Sequence, residues 1–338
     1  MISPDMTSSD MTSPDVTSPA ERFAADRWRA VLRSRPMLTV AMIALAWIGA
    51  SVFQPGFGSW RHLRYLLELA AIVGLVSIGQ TLVVVAGGID LSVGAIVTVS
   101  AIGVPLVTWL PDPTGIAPAL FILLCATSIG ALNGLGVALL RVQPMIMTLA
   151  MATFLQGVLI LIAGGSAISA QNAALSWLGN ARPAGISASV LLWLLASAVA
   201  LWVLHKTPFG ARLFALGTNP LATSLSGIGV RSTTIAVYAI SGFTAGLAGA
   251  LVLGVNGQGY VGIGDSYLLA SIASVVLGGT SILGGRGTYA GTIPGAILLV
   301  TITALITMLN ASAGWRNILF GTLIMALLLL SGRERQQR

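Results

Sequence analysis

Two long stretches of this chain carry no charged residue, and a single carboxylate separates them. The charge-free stretches are residues 69–89 and 91–111, and Asp90 stands between them, shortly after the glycine pair Gly87-Gly88. A charged side chain in a bilayer costs roughly 2.5–3.5 kcal/mol on insertion scales, so it usually lies against protein or water. Glycines allow a helix to stop, and irregular backbone at membrane depth is tolerated only against protein or a wet cavity. The pattern therefore predicts a break between two membrane helices.

The composition is that of a protein embedded in a membrane. Of the 338 residues, 56% are hydrophobic and only 8% are charged, and the mean hydropathy is +0.92. Soluble domains carry about 25% charged residues, so a soluble fold is excluded. A segment of about 20 apolar residues crosses a bilayer as a helix. We therefore expect an all-α integral membrane protein.

Charge-free windows, with their glycine and proline breaks, predict about ten transmembrane helices. The windows lie near residues 37–53, 66–86, 92–110, 117–140, 145–164, 188–204, 232–253, 267–283, 289–309 and 316–331. Glycine clusters in the second, third and eighth windows leave open a partly re-entrant path for those segments.

These windows define a membrane domain at residues 37–331. Before it lie a repeat rich in Ser, Pro and Asp at residues 1–26, predicted to be a disordered cytoplasmic tail, and a basic juxtamembrane collar at residues 27–36. A basic cytoplasmic tail, residues 332–338, follows it.

The distribution of positive charge predicts the orientation. With both termini cytoplasmic, 13 of the 17 Lys and Arg residues lie on the inner side and 4 lie outside, as expected for inner loops rich in Lys and Arg. The four outer cations are Arg61, Arg64, Arg182 and Arg316. Because the net charge of +7 is scattered along one membrane face, nucleic-acid binding is excluded.

The longest inner loop, residues 205–231, is too apolar for a solvated linker and too polar for a span. Gly217 is a plausible helix stop, and Asn219-Pro220 suits an N-cap followed by proline at the first helical position. Two short helices at the membrane surface are expected, with apolar residues Leu213, Phe214, Leu221 and Leu225. These side chains would either dock a cytoplasmic partner or pack on the protein's own spans.

The glycine break has an echo later in the chain. Gly87-Gly88 matches Gly284-Gly285 at a constant offset, and Gly94 matches Gly291. Small residues also cluster around the second pair and allow helices to approach closely. Such glycines either line a pathway or only pack tightly, and the sequence leaves both interpretations open.

Several polar side chains fall within the predicted spans. The amides are Gln80, Asn133, Gln156 and Asn256, and each would either form an interhelical hydrogen bond or line a channel for a hydroxyl-rich solute. Asp90 would either cap the third span, since Asp is a preferred N-cap, or support the fold in another way, or contact solute. Glu68 is expected to be an interfacial charge, paired with Arg64 or Arg61.

The sequence lacks the motifs of several enzyme classes. It has no phosphate-binding loop of the form Gly-x-x-x-x-Gly-Lys-[Ser/Thr], because its only lysine, Lys206, is not preceded by the glycines of that motif. His62, His205 and the single cysteine, Cys125, leave no metal-ligand cluster. We expect no catalytic residues, no metal and no cofactor, and ATP hydrolysis is not expected in this chain.

Four motifs occur in order along the chain. The most specific is Gly87-Gly88-Ile89-Asp90-Leu91-Ser92-Val93-Gly94. The others are Asn133-Gly134-Leu135 with Arg141-Val142-Gln143-Pro144 and Thr148-Leu149, then Phe209-Gly210 with Gly217-x-Asn219 and Ser226-Gly227-Ile228, and last Leu277-Gly278-Gly279-Thr280-Ser281 with Gly284-Gly285-x-Gly287-Thr288. With these motifs the chain resembles the permease subunits of ribose-type bacterial ATP-binding-cassette (ABC) importers, which also serve xylose, arabinose and galactose.

The resemblance implies a ten-helix permease of the cobalamin-importer type (type II), working as a homodimer in the bacterial inner membrane. It also implies a cytoplasmic ABC ATPase and a periplasmic sugar-binding protein as partners, besides membrane lipid. The residues that would couple to the ATPase are Phe209, Gly210, Arg212, Gly217, Asn219, Leu225 and Gly227. The motifs Gly87–Gly94 and Gly278–Thr288 would lie beside the pathway or at the dimer seam. Together with the amides considered above, the candidates beside the pathway or at a helix break are Gln80, Gly87, Gly88, Asp90, Ser92, Asn133, Gln156, Gly278, Gly279, Thr280, Gly284 and Gly285. Ala211 stands where an arginine commonly follows Phe-Gly, and Arg212 comes one position later.

Two other functions remain open from the residues alone. A proton-coupled secondary transporter would use Asp90 or Glu68 to carry the proton. A structural membrane protein fits poorly with a carboxylate at a glycine break. The transported solute cannot be named from the sequence.

Overall fold

This computed structural model describes residues 35–54, 56–107, 109–110, 112–169, 172–309, 312, 314–323 and 325. The predicted tail at 1–26, most of the basic collar at 27–36 and the tail at 332–338 lie outside the described residues. The helices are α1 (Arg35–Phe53), α2 (Trp60–Val85), α3 (Val93–Leu106), α4 (Ile116–Ala138), α5 (Pro144–Ala163), α6 (Ala173–Asn180), α7 (Ala188–Lys206), α8 (Pro208–Thr218), α9 (Pro220–Leu225), α10 (Val230–Asn256), α11 (Asp265–Leu277) and α12 (Tyr289–Met308).

Smaller elements complete the described chain. A single 3-10 turn spans Pro183–Gly185, and residues 314–323 are helical. Two short strands, β1 (Ile168–Ser169) and β2 (Gln258–Gly259), pair antiparallel with Ile168 opposite Gly259.

Each of the ten predicted windows overlaps a helix, but the helices differ in length. Among the described residues, six are long and apolar enough to cross a membrane: α2, α4, α5, α7, α10 and α12. The helices α3 and α11 are shorter, and so is the apolar part of α1, Thr39–Val52. The two short helices α3 and α11 lie in windows where glycine clusters made a full crossing least certain.

Helix α10 lies at the centre of the packing and contacts α2, α3 and α4. Where α10 crosses α4, a Cβ on Gly130 or Gly242 would overlap the backbone of the other helix, and the one on Gly242 would lie 3.0 Å from the Gly130 Cα. Close approach of this kind brings backbones together through small residues. Helix α12 packs against α1, α2 and α11 on another side of the bundle.

One hydrogen-bonded chain joins three helices in the core. The Trp193 indole N–H of α7 donates to the Tyr289 hydroxyl at 2.8 Å, and that hydroxyl donates to the Gly74 carbonyl of α2 at 2.9 Å. Trp193 and Tyr289 are fully buried. Buried aromatic residues keep their polar atoms paired in this way, so α2, α7 and α12 are held in a fixed register.

Candidate functional site

Helix α2 ends in a hydrogen-bonded turn that requires a glycine. The Gly87 N–H donates to the Val84 carbonyl and the Gly88 N–H donates to the Val83 carbonyl, both at 2.9 Å. Gly87 has φ of 86°, in the left-handed region that side chains disfavour. This is the Schellman arrangement that commonly terminates helices, so the predicted break after residue 86 lies where the sequence indicated.

Helix α11 ends in the same way, and this corrects the sequence echo. The Gly279 N–H donates to Val276 at 3.0 Å and the Thr280 N–H donates to Val275 at 3.2 Å, with Gly279 at φ of 86°. The structural counterpart of Gly87 is therefore Gly279, whereas the constant offset pointed to Gly284. The loop after α11 is longer than the loop after α2, so counting residues aligned the wrong glycines.

Gly284 and Gly285, the glycines that the constant offset matched to Gly87 and Gly88, lie against the break after α2. The Gly285 N–H donates at 2.9 Å to the Val85 carbonyl, in the last turn of α2. A Cβ on Gly284 would lie 2.8 Å from the Gly87 Cα. The loop after α11 therefore supplies a partner for a carbonyl that the end of α2 leaves open.

Gly217, near the end of α8, lies against both breaks. A Cβ on Gly217 would overlap the Val85 carbonyl oxygen and lie 2.5 Å from the Gly285 nitrogen. We call Gly87, Gly217, Gly284 and Gly285 the glycine junction. Three segments far apart in sequence meet there with backbone against backbone, and no side chain larger than hydrogen fits at Gly217.

Asp90 is fully buried and its carboxylate is satisfied by hydroxyl and amide donors. One oxygen accepts from the Ser92 N–H at 2.9 Å and the Ser92 hydroxyl at 2.6 Å, and the other accepts from the Ser241 hydroxyl at 2.7 Å. The Asn133 amide donates to the Ser92 hydroxyl at 2.8 Å. The N-cap of α3 is Ser92, so of the two structural roles considered for Asp90, capping that helix is wrong and support of the fold is what the structure shows. It ties the break to α10 and, through Ser92, to α4.

The break is also held to α5. Thr148, fully buried, accepts from the Leu91 N–H at 3.0 Å and donates to the Pro144 carbonyl at 2.9 Å. Ser241 was not singled out from the sequence. A serine inside a charge-free span gives no signal of its own, and only its small neighbour Gly242 hints at a helix crossing.

The other predicted pathway residues are dispersed. Gln80 is fully buried with neither amide atom paired, whereas Gln156 is exposed on α5. Gly278 packs against Gly291, where a Cβ would lie 2.5 Å from that residue's carbonyl carbon. Thr280 is 2% exposed with its hydroxyl unpaired. The structure therefore brings Gly87, Gly88, Asp90, Ser92, Asn133, Gly284 and Gly285 together and leaves Gln80 and Gln156 outside this cluster.

The loop 205–231 forms two helices, as expected. The Thr207 side chain caps α8 by accepting from the Gly210 N–H at 3.3 Å, and the Asn219 side chain caps α9 by accepting from the Ala222 N–H at 3.0 Å. Gly210 lies against the carbonyls of α7, which permits the tight turn between α7 and α8. Helix α8 extends one residue past the predicted stop at Gly217, to Thr218.

The apolar residues of these two helices divide into two groups. Leu213 and Leu216 are buried and Phe209 packs against the core, whereas Leu221 and Leu225 are 71% and 82% exposed. Arg212 is exposed, and Gly227 ends α9 with φ of 76°. Helix α8 is therefore anchored to the membrane domain, and α9 presents the free apolar surface.

Glu68 pairs with a different arginine from the two expected. Its carboxylate lies 3.2 Å from the Arg182 guanidinium, and both share a surface pocket with Arg61 and Arg64. The loop before α7 brings Arg182 to the first turns of α2, which sequence distance could not reveal. Within the described ranges, no group of three or more His, Cys, Asp or Glu side chains could hold a metal ion.

Comparison with known proteins identifies relatives along nearly the whole chain. The family described as "Branched-chain amino acid transport system / permease component" matches residues 63–328. The ribose import permease protein RbsC of Escherichia coli (strain K12) is 32% identical over 311 residues, covering 91% of this chain and 96% of that protein. RbsC of Bacillus subtilis (strain 168) is 34% identical over 290 residues, covering 84% and 88%. The fructose import permease protein FrcC of Rhizobium meliloti is 31% identical over 301 residues, covering 86% and 81%. No solved structure matches the chain.

Proposed function

The chain belongs to the family of branched-chain amino acid transport system permease components, and on that premise we propose that it forms the membrane pathway of an ATP-driven importer for ribose or a similar monosaccharide. Similarity to ribose import permeases over 91% of the chain is the observation that carries this function. An importer of this kind works with an ABC ATPase and a binding protein that delivers the solute.

We propose that α8 and α9 transmit the conformational change of the ATPase to the pathway. The exposed side chains of Arg212, Leu221 and Leu225 offer a mixed basic and apolar surface that a cytoplasmic subunit would cover. Near its carboxyl end, α8 carries Gly217, which packs directly on the breaks after α2 and α11. Backbone packed on backbone has little room to yield, so a displacement of α8 would move both breaks.

We propose that the functional unit is a homodimer. Helix α5 supports this pairing, because only 17% of its most apolar window is buried within one chain although its hydropathy is 2.2. Phe154 and Leu161 are 65% and 85% exposed on it. A second copy that covered this face would enclose a pathway between the two permeases, next to the Thr148 contact with the first break.

A ten-span, cobalamin-importer-like fold with both termini in the cytoplasm remains our proposal for the topology. The overlap of every predicted window with a helix supports it. The charges also separate by side: Arg61, Arg64 and Arg182 line a pocket at the start of α2, whereas Arg141 and Arg231 line a cavity at its end. A 26-residue helix is about 39 Å long, and this separation suits groups at opposite membrane faces.

The geometry gives no support to proton coupling. The two oxygens of Asp90 already accept hydrogen bonds from Ser92 and Ser241, and Glu68 is paired with Arg182 at a surface pocket. A proton carrier must exchange with water on both sides in turn, and neither carboxylate is placed for that.

Reconstitution tests the function directly. Liposomes containing this chain, its ATPase and its binding protein should accumulate radiolabelled ribose only when ATP is inside, and should not do so with a proton gradient alone. Ribose uptake by this chain without the ATPase, driven by a proton gradient, would overturn the proposal. Fructose and xylose should be measured in parallel, because relatives carry different sugars.

Two variants separate attachment of the ATPase from transmission. Arg212→Glu should reduce co-purification of the ATPase and leave membrane insertion unchanged. Gly217→Ala must displace α8 from the Val85 carbonyl. The variant protein that remains monodisperse should keep the ATPase bound while ribose uptake falls about tenfold or more, equivalent to about 1.4 kcal/mol of barrier or more. Gly157→Ala is the matched control, since a Cβ there meets open space. Normal uptake by Gly217→Ala would contradict the transmission route.

A further inference from the structure

A cavity of about 790 Å³ lies beside the glycine junction, between the α4–α5 turn, the α8–α9 segment and the start of α10. Its floor is formed by the end of α2, including Gly88, and its wall is largely apolar. Two arginines, Arg141 and Arg231, line it. We call it the arginine cavity.

Within the part of the chain that the structure describes, the two guanidinium groups have no acidic partner. Among the described residues, the ion pair found joins Arg182 and Glu68, and neither cavity arginine takes part in one. No acidic residue lines the arginine cavity. Two cations at one concave site, with no carboxylate among its described lining residues, favour an anionic ligand.

The amino terminus of α10 adds unpaired donors to the same cavity. Gly229 is its N-cap, and no side chain caps the helix. Within the described residues, the first backbone N–H of α10 that has an acceptor is that of Thr233, which donates to the Gly229 carbonyl. Val230, Arg231 and Ser232 all line the cavity. The free N–H groups and the helix dipole of a 27-residue helix favour an anion such as phosphate.

A buried hydroxyl points independently to a ligand. Tyr238 is 3% exposed and lines the cavity, and its hydroxyl has no hydrogen-bond partner. Buried hydroxyls in native proteins are nearly always paired. The hydroxyl lies over Gly88, where a Cβ would come within 2.5 Å of it, and an acceptor in the cavity would satisfy it.

Arg141 adopts a backbone conformation that suggests a positional role. Its φ is 56°, which is uncommon for a residue with a side chain, and such strain clusters at functional sites. Its neighbours Leu139, Leu140, Met145 and Ile146 are 52%, 74%, 44% and 59% exposed. The arginine is therefore set in an apolar surface on which acyl chains would lie.

We propose that the arginine cavity binds the phosphate of an anionic phospholipid from the inner leaflet. The phosphate would accept hydrogen bonds from Arg141, Arg231, Tyr238 and the start of α10, and its acyl chains would continue along the exposed side of the α4–α5 turn. The site adjoins Gly88 and Leu216, so an occupied cavity would brace the glycine junction. This role is additional to solute transport and needs no ATPase.

Native mass spectrometry and thermal unfolding of the full chain in nanodiscs test the proposal. In discs containing phosphatidylglycerol, the wild type should retain one tightly bound phosphatidylglycerol and unfold at higher temperature than in phosphatidylcholine. Arg141→Gln and Arg231→Gln should each weaken the retained lipid about fivefold, since an arginine near anionic lipid contributes about 1 kcal/mol. Arg61→Gln, a cation outside the cavity, is the matched control.

A second variant guards against a loss of folding. Arg141→Gly removes the guanidinium and suits the left-handed backbone, so it should fold at least as well as the wild type and still lose the lipid. Three results would overturn the proposal. The first is that Arg141→Gly and Arg231→Gln both retain phosphatidylglycerol as the wild type does. The second is that inorganic phosphate, added to phosphatidylcholine discs, raises the unfolding temperature as much as phosphatidylglycerol does. The third is that these variants lose co-purification of the ATPase while their lipid retention is unchanged. The last result would assign the cavity to an acidic side chain of the ATPase.

Discussion

Helices α2 and α5 have nearly the same hydropathy but opposite surroundings. Their most apolar windows have hydropathies of 2.0 and 2.2, yet 89% of the α2 window is buried within the chain against 17% for α5. Lipid is as apolar as a leucine side chain, so hydropathy alone does not decide which membrane helix lies inside the protein.

Glycine environments explain the difference. In α2, a Cβ on Gly79 would lie 2.5 Å from the Ser241 Cα of α10, and one on Gly74 would overlap the Trp193 ring of α7. In α5, a Cβ on Gly157 would meet nothing within 4 Å. A membrane helix is therefore buried within the protein where its small residues let the backbones of neighbouring helices approach closely. The number of glycines in a helix does not show whether such neighbours are present.

The largest effect should come from filling the α2 crossing. Gly79→Val should destabilise the protein by about 3 kcal/mol or more, the upper range for overpacking, because the obstacle is backbone of α10. Thermal unfolding in detergent, together with the yield of monodisperse protein, measures this. Gly157→Val, the same substitution on α5, should not destabilise the protein, because a Cβ there meets open space and valine has a higher helix propensity than glycine. Equal losses for both variants would remove the distinction between the helices.

A smaller loss of stability should follow when the Asp90 carboxylate, next to the end of α2, loses one hydrogen-bond donor. Ser241→Ala leaves an oxygen of Asp90 unpaired in a fully buried site, which should cost about 1–3 kcal/mol. Chemical denaturation in mixed micelles can quantify it. Ser232→Ala is the control, because its hydroxyl bonds only to the Gly229 carbonyl of the same turn. Asp90→Asn in the Ser241→Ala background should add less than it does alone, since the two residues interact directly.

The exposed face of α5 should tolerate substitution but report on a second copy. In a Cys125→Ser background, Phe154→Cys should change stability by less than about 0.5 kcal/mol, as expected of exposed sites. It should form cross-linked dimers in membranes on oxidation. Leu195→Cys, on the 65% exposed side of α7, should stay monomeric. If neither cysteine cross-links, the open face of α5 is covered by lipid instead.

The smallest effect should appear at the polar start of α4, outside the packed helices. Asp112 accepts from the Ala117 N–H at 2.8 Å and from Thr114, and these bonds lower the pKa of its carboxyl to about 2. Because the folded pKa lies below the unfolded value, this stabilisation is present above about pH 4 and is lost as the pH falls towards about 2. The melting temperature of Asp112→Asn should therefore fall less than that of wild type over this interval.

The sequence alone indicated where the apolar helices lie and where α2 ends. Long charge-free windows fix where helices can cross, since nothing else satisfies the backbone in lipid. The stop after Val85 and the cap at Asn219 are local events, governed by glycine and asparagine within one turn, and the structure places both where the sequence indicated.

Only the tertiary structure decided what those breaks touch. Asp90 and Ser241 are 151 residues apart, and Gly217 meets Val85 and Gly285 through backbone atoms that have no sequence signature. The same holds for the pairing of Glu68 with Arg182, for Gly279 as the counterpart of Gly87, and for the opposite burial of α2 and α5. Each depends on how whole helices pack, and in a chain so uniformly apolar the hydrophobic pattern carries little information about which faces meet.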